Sequence, residues 1–238
     1  MKPTIAAIIP TFNSVRYLKF ALESVMTQTR LPDHIIVVDD GSDDGTRDFV
    51  THQPAHINYT YQPNAGVAAA RQTGIGLTDA DIIAFLDADD IWPANKLAQQ
   101  LGVWKSNQSK AGTIALGMTQ AFYDDDPATL TEPFLSYLFG ASLISRDLFT
   151  ESSVNAQLTV GEDVDWFLRA REVNANIVTS NETALHYRQR KGSLTAGKDA
   201  TQRGLPSLLK SSLDRRRALH GGAPELPPHE QDEPKERG

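Results

Sequence analysis

The sequence predicts an α/β fold built around a mainly parallel sheet. Between Thr4 and Ile91, short apolar runs alternate with segments whose apolar residues recur at helical spacing. This alternation is typical of parallel strands that are joined by crossover helices. The chain has 238 residues, of which 40% are hydrophobic, so it can bury one substantial core. It contains no internal repeat and no Gly/Pro-rich linker between independent halves, which favours a single domain.

The elements of the first half follow from these patterns. Apolar runs that end in polar loop residues indicate strands, and segments with one apolar face indicate helices. Asn13 or Ser14 is the predicted N-cap of the first helix. In chain order the elements are a strand TIAAIIP, a helix VRYLKFALESVM, a strand HIIVVDD, a short helix DDGTRDFVTH, a strand INYTYQ, a helix AGVAAARQTGIGL and a strand DIIAFLDADD.

The second half is less regular. Pro93 begins a predicted helix that ends at Lys105, because proline is favoured at the first helical position. There follow a strand TIALGMTQAF, an acidic turn DDDPATL, the segment FGASLISRDLF and a helix EDVDWFLRAREV. A basic helix is predicted over 201–220, and the Pro- and charge-rich residues 221–238 are predicted to be disordered.

Composition excludes several classes of site and partner. The chain has no cysteine, so disulfides, thiolate metal sites and a cysteine nucleophile are excluded, and any metal must be bound by oxygen or imidazole. The net charge of −7 argues against a nucleic-acid partner. The longest apolar runs fall short of the roughly 20 residues that span a bilayer, and no secretory signal is visible at the N-terminus. We expect a cytoplasmic protein.

The charge is unevenly distributed. Between His186 and Arg217 there are nine Lys or Arg and two Asp, a local charge of +7 that leaves −14 for the rest of the chain. An apolar face in this stretch consists of Leu205, Leu208, Leu209 and Leu213. Three alternatives are open for this helix: peripheral contact with the anionic inner face of a membrane, packing on the domain, or packing on another copy.

Polar residues follow three of the predicted strands, at 10–13, 39–42 and 87–90. Because ligands bind at the carboxyl ends of strands in open α/β sheets, these loops are expected to meet at one crevice. If the strand continues through Asp87 and Asp89, both side chains point to the same side. Their repulsion would be relieved by Mg or Mn, which prefer oxygen ligands. The alternative is a solvated acidic turn that caps the next helix.

Other polar residues near these loops suit a nucleotide. Asp39 can accept a hydrogen bond from a nucleobase imide or a ribose hydroxyl, or belong to a simple turn. Asn64 and Gly66 begin a helix of small residues that permits close approach of a ligand, and Arg71 can pair with a phosphate or hold a neighbouring Asp loop. Neither GxGxxG nor GxxxxGK[ST] is present, which argues against dehydrogenases and ATP-type phosphate loops.

Two further segments carry candidate chemistry. Glu162, Asp163 and Asp165 lie in the first turn of a predicted helix, where they serve either as helix-capping acids or as a general base. The segment HYRQRKGSLT is predicted to be flexible and cationic. It would stabilise a departing diphosphate through residues such as Arg188 and Ser193, or else form a basic surface loop.

Taken together, IIPTFN, VVDDGSDDGT, NAGVAAARQTGI, FLDADDIW followed by PANKL, and GEDVDWFLR resemble, in order and spacing, the family-two glycosyltransferases. The resemblance covers about Ile5 to Ser193. It implies a GT-A fold, a Rossmann-like αβα sandwich with a mixed, mainly parallel sheet. It divides residues 1–200 into a nucleotide-binding half, 1–92, and an acceptor and catalytic half, 93–200.

The resemblance also implies the site. Nucleotide-sugar binding is assigned to Pro10, Thr11, Asn13, Asp39, Asn64, Gly66, Arg71, Asp87, Ala88, Arg188 and Ser193. The pattern Asp-x-Asp at 87–89, called the DxD loop below, would bind Mn or Mg, with Asp89 as the direct ligand and Asp87 beside it. Asp163 matches the family's catalytic base, with Glu162 next to it. Residues 119–148 would help to shape the acceptor site.

The reaction implied is inverting transfer from a nucleotide diphosphate sugar, usually a UDP-sugar, to a hydroxyl of a saccharide, lipid-linked or peptide acceptor. Some features depart from the family pattern. Arg190 stands where many members carry a histidine, and His186, a third candidate metal ligand, lies four residues earlier. No QxxRW motif follows the acidic pair, which argues against a processive polymer synthase. The alternatives are a catalytically degenerate binding module and a nucleotidyltransferase.

Overall fold

The structure of the protein, a computed structural model, describes residues 2–54, 56–123, 129–158, 160–190 and 198–220, with side chains of the last segment described from 206 to 218. Ser193 and the tail at 221–238 lie outside the described residues. Within the described part of the chain, no helix is long and apolar enough to cross a membrane.

The strands form one mixed, mainly parallel sheet, as the sequence predicts. The strands are β1 (Ile5–Thr11), β2 (His34–Asp39), β3 (Ile57–Tyr61), β4 (Ile82–Phe85), β5 (Thr113–Tyr123), β6 (Phe134–Leu135), β7 (Ser142–Ser145) and β8 (Asn176–Gln189). The first four strands are parallel to one another. β7 runs antiparallel between β4 and β5, while β8 runs parallel to β5 on its other side.

Helices connect the strands and cover the sheet. They are α1 (Val15–Met26), α2 (Thr46–Thr51), α3 (Val67–Gly76), α4 (Lys96–Ser106), α5 (Asp147–Glu151), α6 (Glu162–Glu172) and α7 (Lys198–His220). α1 matches the predicted segment, because Leu18, Leu22 and Val25 recur on one face and are buried. β1 is buried along its whole length, so the core lies around the central strands.

An aromatic cluster joins the second half of the chain to β4. Phe85, at the end of β4, contacts Phe139 and Phe149 with ring centroids 5.1 and 5.7 Å apart. Trp166 of α6 stacks on Phe149 at 4.6 Å and contacts Phe139 at 5.3 Å. The buried rings therefore fix α6 beside the carboxyl end of β4.

Two predicted boundaries were wrong. β4 ends at Phe85, so Asp87 and Asp89 lie in a turn and the alternation of a strand does not orient them. α4 begins at Lys96, three residues after Pro93. Pro93 lies in a preceding turn, where its carbonyl oxygen accepts hydrogen bonds from the Lys96 amide at 3.0 Å and from Gln28 Nε2 at 2.7 Å.

The N-cap of α1 is Ser14, one of the two predicted residues, but its side chain does not cap the helix. The Ser14 hydroxyl donates to the Phe12 carbonyl at 2.9 Å. Instead, Asp44 Oδ2 accepts a hydrogen bond from the Val15 amide at 2.9 Å. The first turn of α1 is thus satisfied by the loop that follows β2.

The sequence analysis missed β8. The segment from His186 to Gln189, predicted to be flexible, is the end of this strand and pairs with β5. The strand lacks a regular apolar alternation, since most of its residues are polar and only partly buried. Its pairing with the buried β5 stabilises it in spite of this composition.

α7 packs on the domain through one face. Leu208 and Ser212 are buried, and Arg215 forms hydrogen bonds of 2.8 and 3.2 Å with Glu172 of α6. Leu209 and Leu213 are 45% and 43% exposed. Packing on the domain, one of the three predicted alternatives, is therefore present, and the two exposed leucines lie outside that contact.

Candidate active site

The loops after β1 and β2 are hydrogen-bonded to each other. The Asn13 amide donates to Ser42 Oγ at 2.9 Å, and Asn13 Oδ1 accepts from the Asp43 amide at 2.9 Å. Asn13 adopts a φ of 46°, in the left-handed region that asparagine tolerates. Asn13 therefore shapes the crevice by joining two of its walls.

Asp39 and Thr11 lie side by side at the ends of their strands. Both are buried. Asp39 accepts hydrogen bonds from the Ser42 amide at 2.8 Å and from the Tyr59 hydroxyl at 2.7 Å. Burial and this hydrogen bond raise the pKa of Tyr59 to about 12. The Thr11 hydroxyl is buried and has no hydrogen-bond partner among the described residues. Pro10, the residue before it, is buried within β1.

Asp40 organises the next wall of the crevice, a role that the sequence analysis missed. It accepts hydrogen bonds from the amides of Ala65 and Gly66 at 2.9 and 2.8 Å and from Gln62 Nε2 at 2.7 Å. These bonds hold the turn that begins α3 against the loop after β2. The backbone amides of this turn are thus engaged by Asp40, while Asn64 is exposed beside them. The doubled Asp in VVDDGS was the available signal, because successive residues point to opposite sides.

Arg71 is the buried bridge between the two halves of the site. Its Nη2 lies 2.6 Å from Asp87 Oδ1, and its Nη1 lies 2.5 Å from Glu162 Oε1. Burial opposes the charge of Arg71, but the carboxylates of Asp87, Glu162 and Asp163 hold its pKa above the ordinary value. Two roles were predicted for Arg71, pairing with a phosphate and holding a neighbouring Asp loop, and the structure shows the second.

The DxD loop is a compact turn. The Asp90 amide donates to the Asp87 carbonyl at 3.0 Å, and Ala88 between them is buried. Asp90 is buried and accepts a hydrogen bond from the Arg188 amide at 2.8 Å. Burial and the charges of Asp89 and Asp87 raise the pKa of Asp90 well above its ordinary value.

Two arginines from β8 and the residue after it close the DxD loop from the other side. Arg188 Nε donates to the Asp89 carbonyl at 2.7 Å. Arg190 contacts Asp89 Oδ2 through Nε at 3.2 Å and through Nη2 at 3.1 Å. The ring of Tyr17 lies 4.9 Å from the guanidinium of Arg188 and 4.8 Å from that of Arg190. The sequence analysis did not identify Tyr17, because nothing in an amphipathic helix marks one position outside its apolar face as a contact.

His186 contributes to this arrangement through its backbone. Its amide donates to the Ile91 carbonyl at 2.9 Å, and its carbonyl accepts from the Ile91 amide at 3.1 Å. Burial lowers the pKa of its imidazole. Among the described residues, no group of three His, Asp or Glu side chains is placed to hold a metal ion.

The charges of the cluster nevertheless suit a divalent cation. When every acid is ionised, the five acids and three arginines of the cluster carry a formal charge of −2. The acids are Asp87, Asp89, Asp90, Glu162 and Asp163, and the arginines are Arg71, Arg188 and Arg190. Asp87 and Asp89 offer carboxylate oxygens, the ligand type that Mg and Mn prefer. With two protein ligands, the remaining positions would be filled by water and phosphate oxygens. Asp87 and Asp89, which are now paired with arginines, are the side chains that would hold a cation if one bound together with a diphosphate.

The first turn of α6 presents two of its three acids to the site. Glu162 binds Arg71, and Asp163 follows it with Oδ1 accepting from the Val164 amide at 2.8 Å. Burial raises the pKa of Asp163 to about 7, the negative charge of Glu162 adds to the rise, and Arg71 opposes it. Asp165 lies outside this arrangement, where it pairs with Arg169 at 2.8 Å. A carboxylate with this pKa can take a proton near neutral pH.

The aromatic residues of the predicted acceptor segment separate into two sets. Phe122 and Phe139 are buried in the core. Tyr123, Phe134 and Tyr137 are 51%, 42% and 41% exposed, and Tyr137 contacts Phe167 of α6 at a centroid distance of 5.4 Å. Only the exposed set can contact an acceptor.

Comparison with known proteins identifies the family. The model for "Glycosyl transferase family 2" matches residues 6–151, which is more than half of the chain. The chain belongs to glycosyl transferase family 2. The matched region contains the donor-side loops and the DxD loop, whereas Glu162 and Asp163 lie beyond it.

Two curated relatives match less than half of the length of this family 2 chain. It is 37% identical over 107 residues to an uncharacterised glycosyltransferase of Nostoc, covering 43% of this chain and 33% of the relative. It is 35% identical over 105 residues to the putative teichuronic acid biosynthesis glycosyltransferase TuaG of Bacillus subtilis, covering 42% and 41%. The chain thus matches less than half of the length of these relatives.

Solved structures show the same fold. Staphylococcus aureus TarS residues 1–349 in complex with UDP-GlcNAc superposes with a TM-score of 0.65 at 18% identity, covering 82% of this chain and 61% of that one. The complex of the same protein with UDP gives 0.63 at 16% identity, covering 78% and 60%. The family 2 chain therefore has the predicted GT-A fold.

Proposed function

We propose that this family 2 chain is an inverting glycosyltransferase that moves a sugar from a UDP-sugar to an acceptor hydroxyl, with Asp163 as general base and with Mn or Mg at the DxD loop. The observation that carries the proposal is the bridge from Asp87 through Arg71 to Glu162, because it joins the loop suited to a diphosphate to the helix that bears Asp163. The TarS complexes with UDP and UDP-GlcNAc support the donor class.

The donor is expected to lie along the carboxyl ends of the strands. The free Thr11 hydroxyl and the remaining lone pairs of Asp39 would recognise the nucleoside. The diphosphate would lie at Asp87 and Asp89, where a bound metal supplies positive charge to its oxygens. Arg188 and Arg190 add positive charge beside the same loop.

In the reaction, Asp163 takes the proton of the acceptor hydroxyl while that oxygen forms a bond to the anomeric carbon. The bond from the anomeric carbon to the diphosphate oxygen breaks on the opposite face, and the diphosphate leaves with the electron pair. A single displacement needs only one base, which is consistent with one carboxylate whose pKa is near 7. Proton transfer of this kind increases the reaction rate by roughly a hundredfold to ten-thousandfold.

The first experiment is calorimetric titration of UDP, GDP, CDP and TDP into the protein with and without Mn, repeated for Asp89→Ala. We expect metal-dependent binding of UDP that is weakened in the variant. Asp79→Asn is the control for the loss of a carboxylate. The Asp79 side chain is exposed, and the residue lies before the amino end of β4, whereas the site lies at the carboxyl end. Binding of none of the nucleotides would overturn the donor site and favour a degenerate binding module.

A second experiment tests the base and the stereochemistry. Asp163→Asn should bind UDP as the parent protein does. Its rate of sugar transfer, or of the slow hydrolysis of the donor by water, should be lower by about a hundredfold or more. The anomeric configuration of the released sugar, followed by NMR before mutarotation, should be inverted. Undiminished product formation by the variant would exclude Asp163 as the base, and retained configuration would exclude direct displacement.

We further propose that the acceptor is a saccharide, lipid-linked or peptide hydroxyl reached at the cytoplasmic face of a membrane. The exposed Leu209 and Leu213 of α7, beside the exposed Arg217, support this location. Sedimentation with vesicles that contain anionic lipid tests it. We expect binding that is lost on replacing both leucines by Ser, and no binding by the parent protein would contradict the membrane contact.

A further inference from the structure

Arg190 contacts the carboxylate of Asp89, the residue that the sequence predicts as the direct metal ligand. Its Nε and Nη2 both point at Oδ2 of Asp89, at 3.2 and 3.1 Å. The side chains of Arg190 and Asp89 are 31% and 24% exposed, so the pair is partly withdrawn from water. A guanidinium cannot lose its proton in a protein, so Arg190 carries its positive charge at any ordinary pH.

The position of Arg190 is supported from two sides. Its guanidinium lies 4.8 Å from the ring centroid of Tyr17, within the range of a cation–π contact. Arg188 lies against the same ring at 4.9 Å and against Phe122 at 4.5 Å, and it holds the Asp89 carbonyl through its Nε. Tyr17 thus places two cations next to one acidic loop.

The other acid of the DxD loop is paired in the same manner, since Arg71 contacts Asp87 Oδ1 at 2.6 Å. The two arginines differ in their freedom to move. Arg71 is buried and held by Glu162 as well, whereas Arg190 is partly exposed and follows the last residue of β8. Of the two, Arg190 is the cation that can leave its carboxylate.

We propose that Arg190 is the resident counter-cation of Asp89 and competes with a divalent cation for this carboxylate until a donor diphosphate draws the guanidinium away. The inference rests on the proposed donor site. A guanidinium matches phosphate oxygens through paired hydrogen bonds at least as well as it matches one carboxylate oxygen. Arg190 therefore moves from Asp89 to the diphosphate and frees an oxygen for the cation.

The competition has a thermodynamic consequence. If UDP removes Arg190 from Asp89, then UDP increases the affinity for the divalent cation, and the cation increases the affinity for UDP by the same factor. Without Arg190, the cation binds the UDP-free protein more tightly, and UDP increases its affinity by a smaller factor. This combination distinguishes competition at Asp89 from a general loss of positive charge.

The test is titration of Mn²⁺ into the full chain, with free Mn²⁺ measured by its EPR signal, with and without UDP. Arg190→Gln should tighten Mn²⁺ binding without UDP by about two- to fivefold, the range of a part-exposed ion pair, and reduce the enhancement by UDP. Arg217→Gln removes a charge from the exposed surface of α7 and should leave Mn²⁺ affinity unchanged. Tyr17→Leu should also tighten Mn²⁺ binding in the absence of UDP, but by a smaller factor than Arg190→Gln.

Equal or weaker Mn²⁺ binding by Arg190→Gln would overturn the inference, and so would the absence of Mn²⁺ binding from every protein in the series. Calorimetry of UDP on the same samples separates this failure from failure of the proposed function. UDP binding with unchanged Mn²⁺ affinity overturns the role of Arg190 alone, whereas absent UDP binding overturns the donor site itself. Thermal unfolding of each variant confirms that it is folded.

Discussion

Arg71 and Glu162, which are 91 positions apart in the chain, meet in a buried ion pair whose Nη1–Oε1 distance is 2.5 Å. The same guanidinium contacts Asp87 at 2.6 Å and lies over the ring of Phe139 at 5.1 Å. One side chain of α3 thus joins the DxD loop, the aromatic cluster and the first turn of α6. The relative positions of the predicted donor site and the predicted base depend on this residue.

Replacement of Arg71 by Met should destabilise the protein by about 3 kcal/mol, because Glu162 would be left buried without its cation. Urea unfolding at pH 7 measures the effect. Arg217→Met, at an exposed ion pair, should change stability by less than about 0.5 kcal/mol. Equal stability of the two variants would show that the Arg71 bridge contributes nothing to the fold.

The rate of transfer should depend on pH through Asp163. The pKa of Asp163 is raised to about 7, and only the deprotonated carboxylate can accept the acceptor proton. The rate should therefore fall as pH decreases below about 7, with a slope that approaches one proton. A rate that stays constant between pH about 5 and about 8 would contradict this role.

The raised pKa of Asp163 also makes stability depend on pH. The direction is opposite to that of a salt-bridged acid, whose pKa is lowered. A carboxyl with a raised folded pKa contributes stability that is present below its unfolded pKa of 3.8 and is lost as pH rises to about 7. The stability gained by Asp163→Asn relative to the parent protein should therefore grow between these two pH values and reach roughly 4 kcal/mol at pH 8. Urea unfolding at pH about 4 and about 8 measures the difference. A gain that does not grow with pH would exclude the raised pKa.

Gly41 and Gly45 form a matched pair for testing the crevice. Both have a left-handed φ, 92° and 89°, but a Cβ on Gly41 would lie 2.8 Å from the Asn64 nitrogen, whereas a Cβ on Gly45 would meet nothing within 4 Å. Each change to Ala should cost about 1 to 2 kcal/mol through backbone strain. Gly41→Ala should cost more and also weaken UDP binding, because the turn held by Asp40 must move. Calorimetry and urea unfolding give both quantities, and equal effects would contradict the contact.

The attachment of α7 should depend on Arg215. Its Nε lies 2.8 Å from Glu172, and its Nη1 lies 3.7 Å from Asp165. In Arg215→Gln, α7 should be cleaved faster by limited proteolysis, while global stability falls by only about 1 kcal/mol, since the arginine is about one-third exposed. Arg217→Gln on the same helix is the control. If both variants are cleaved at the parent rate, the ion pairs do not hold α7.

Much of the fold could be predicted because buried parallel strands and an amphipathic helix leave periodic apolar patterns. The four parallel strands of the first half and α1 follow directly from such runs, and the acidic pairs at 39–40 and 87–89 follow from their place after strands. β8 was not predicted, because its polar residues lack that periodicity and its strand conformation depends on pairing with β5. The start of α4 was misplaced because Pro93 lies in a turn whose carbonyl is bound by Gln28, which follows the end of α1.

The amino-acid sequence by itself determined the fold class, the order of the family 2 motifs and the identity of the acidic residues at the candidate site. Only the tertiary structure decided which polar groups meet: Arg71 pairs with Asp87 and Glu162, Arg190 pairs with Asp89, and Asp40 accepts hydrogen bonds from the turn that begins α3. Local patterns arise from the period of a strand or a helix, which any segment displays on its own. Ion pairs between distant segments leave no such period, because they depend on where the chain returns in space.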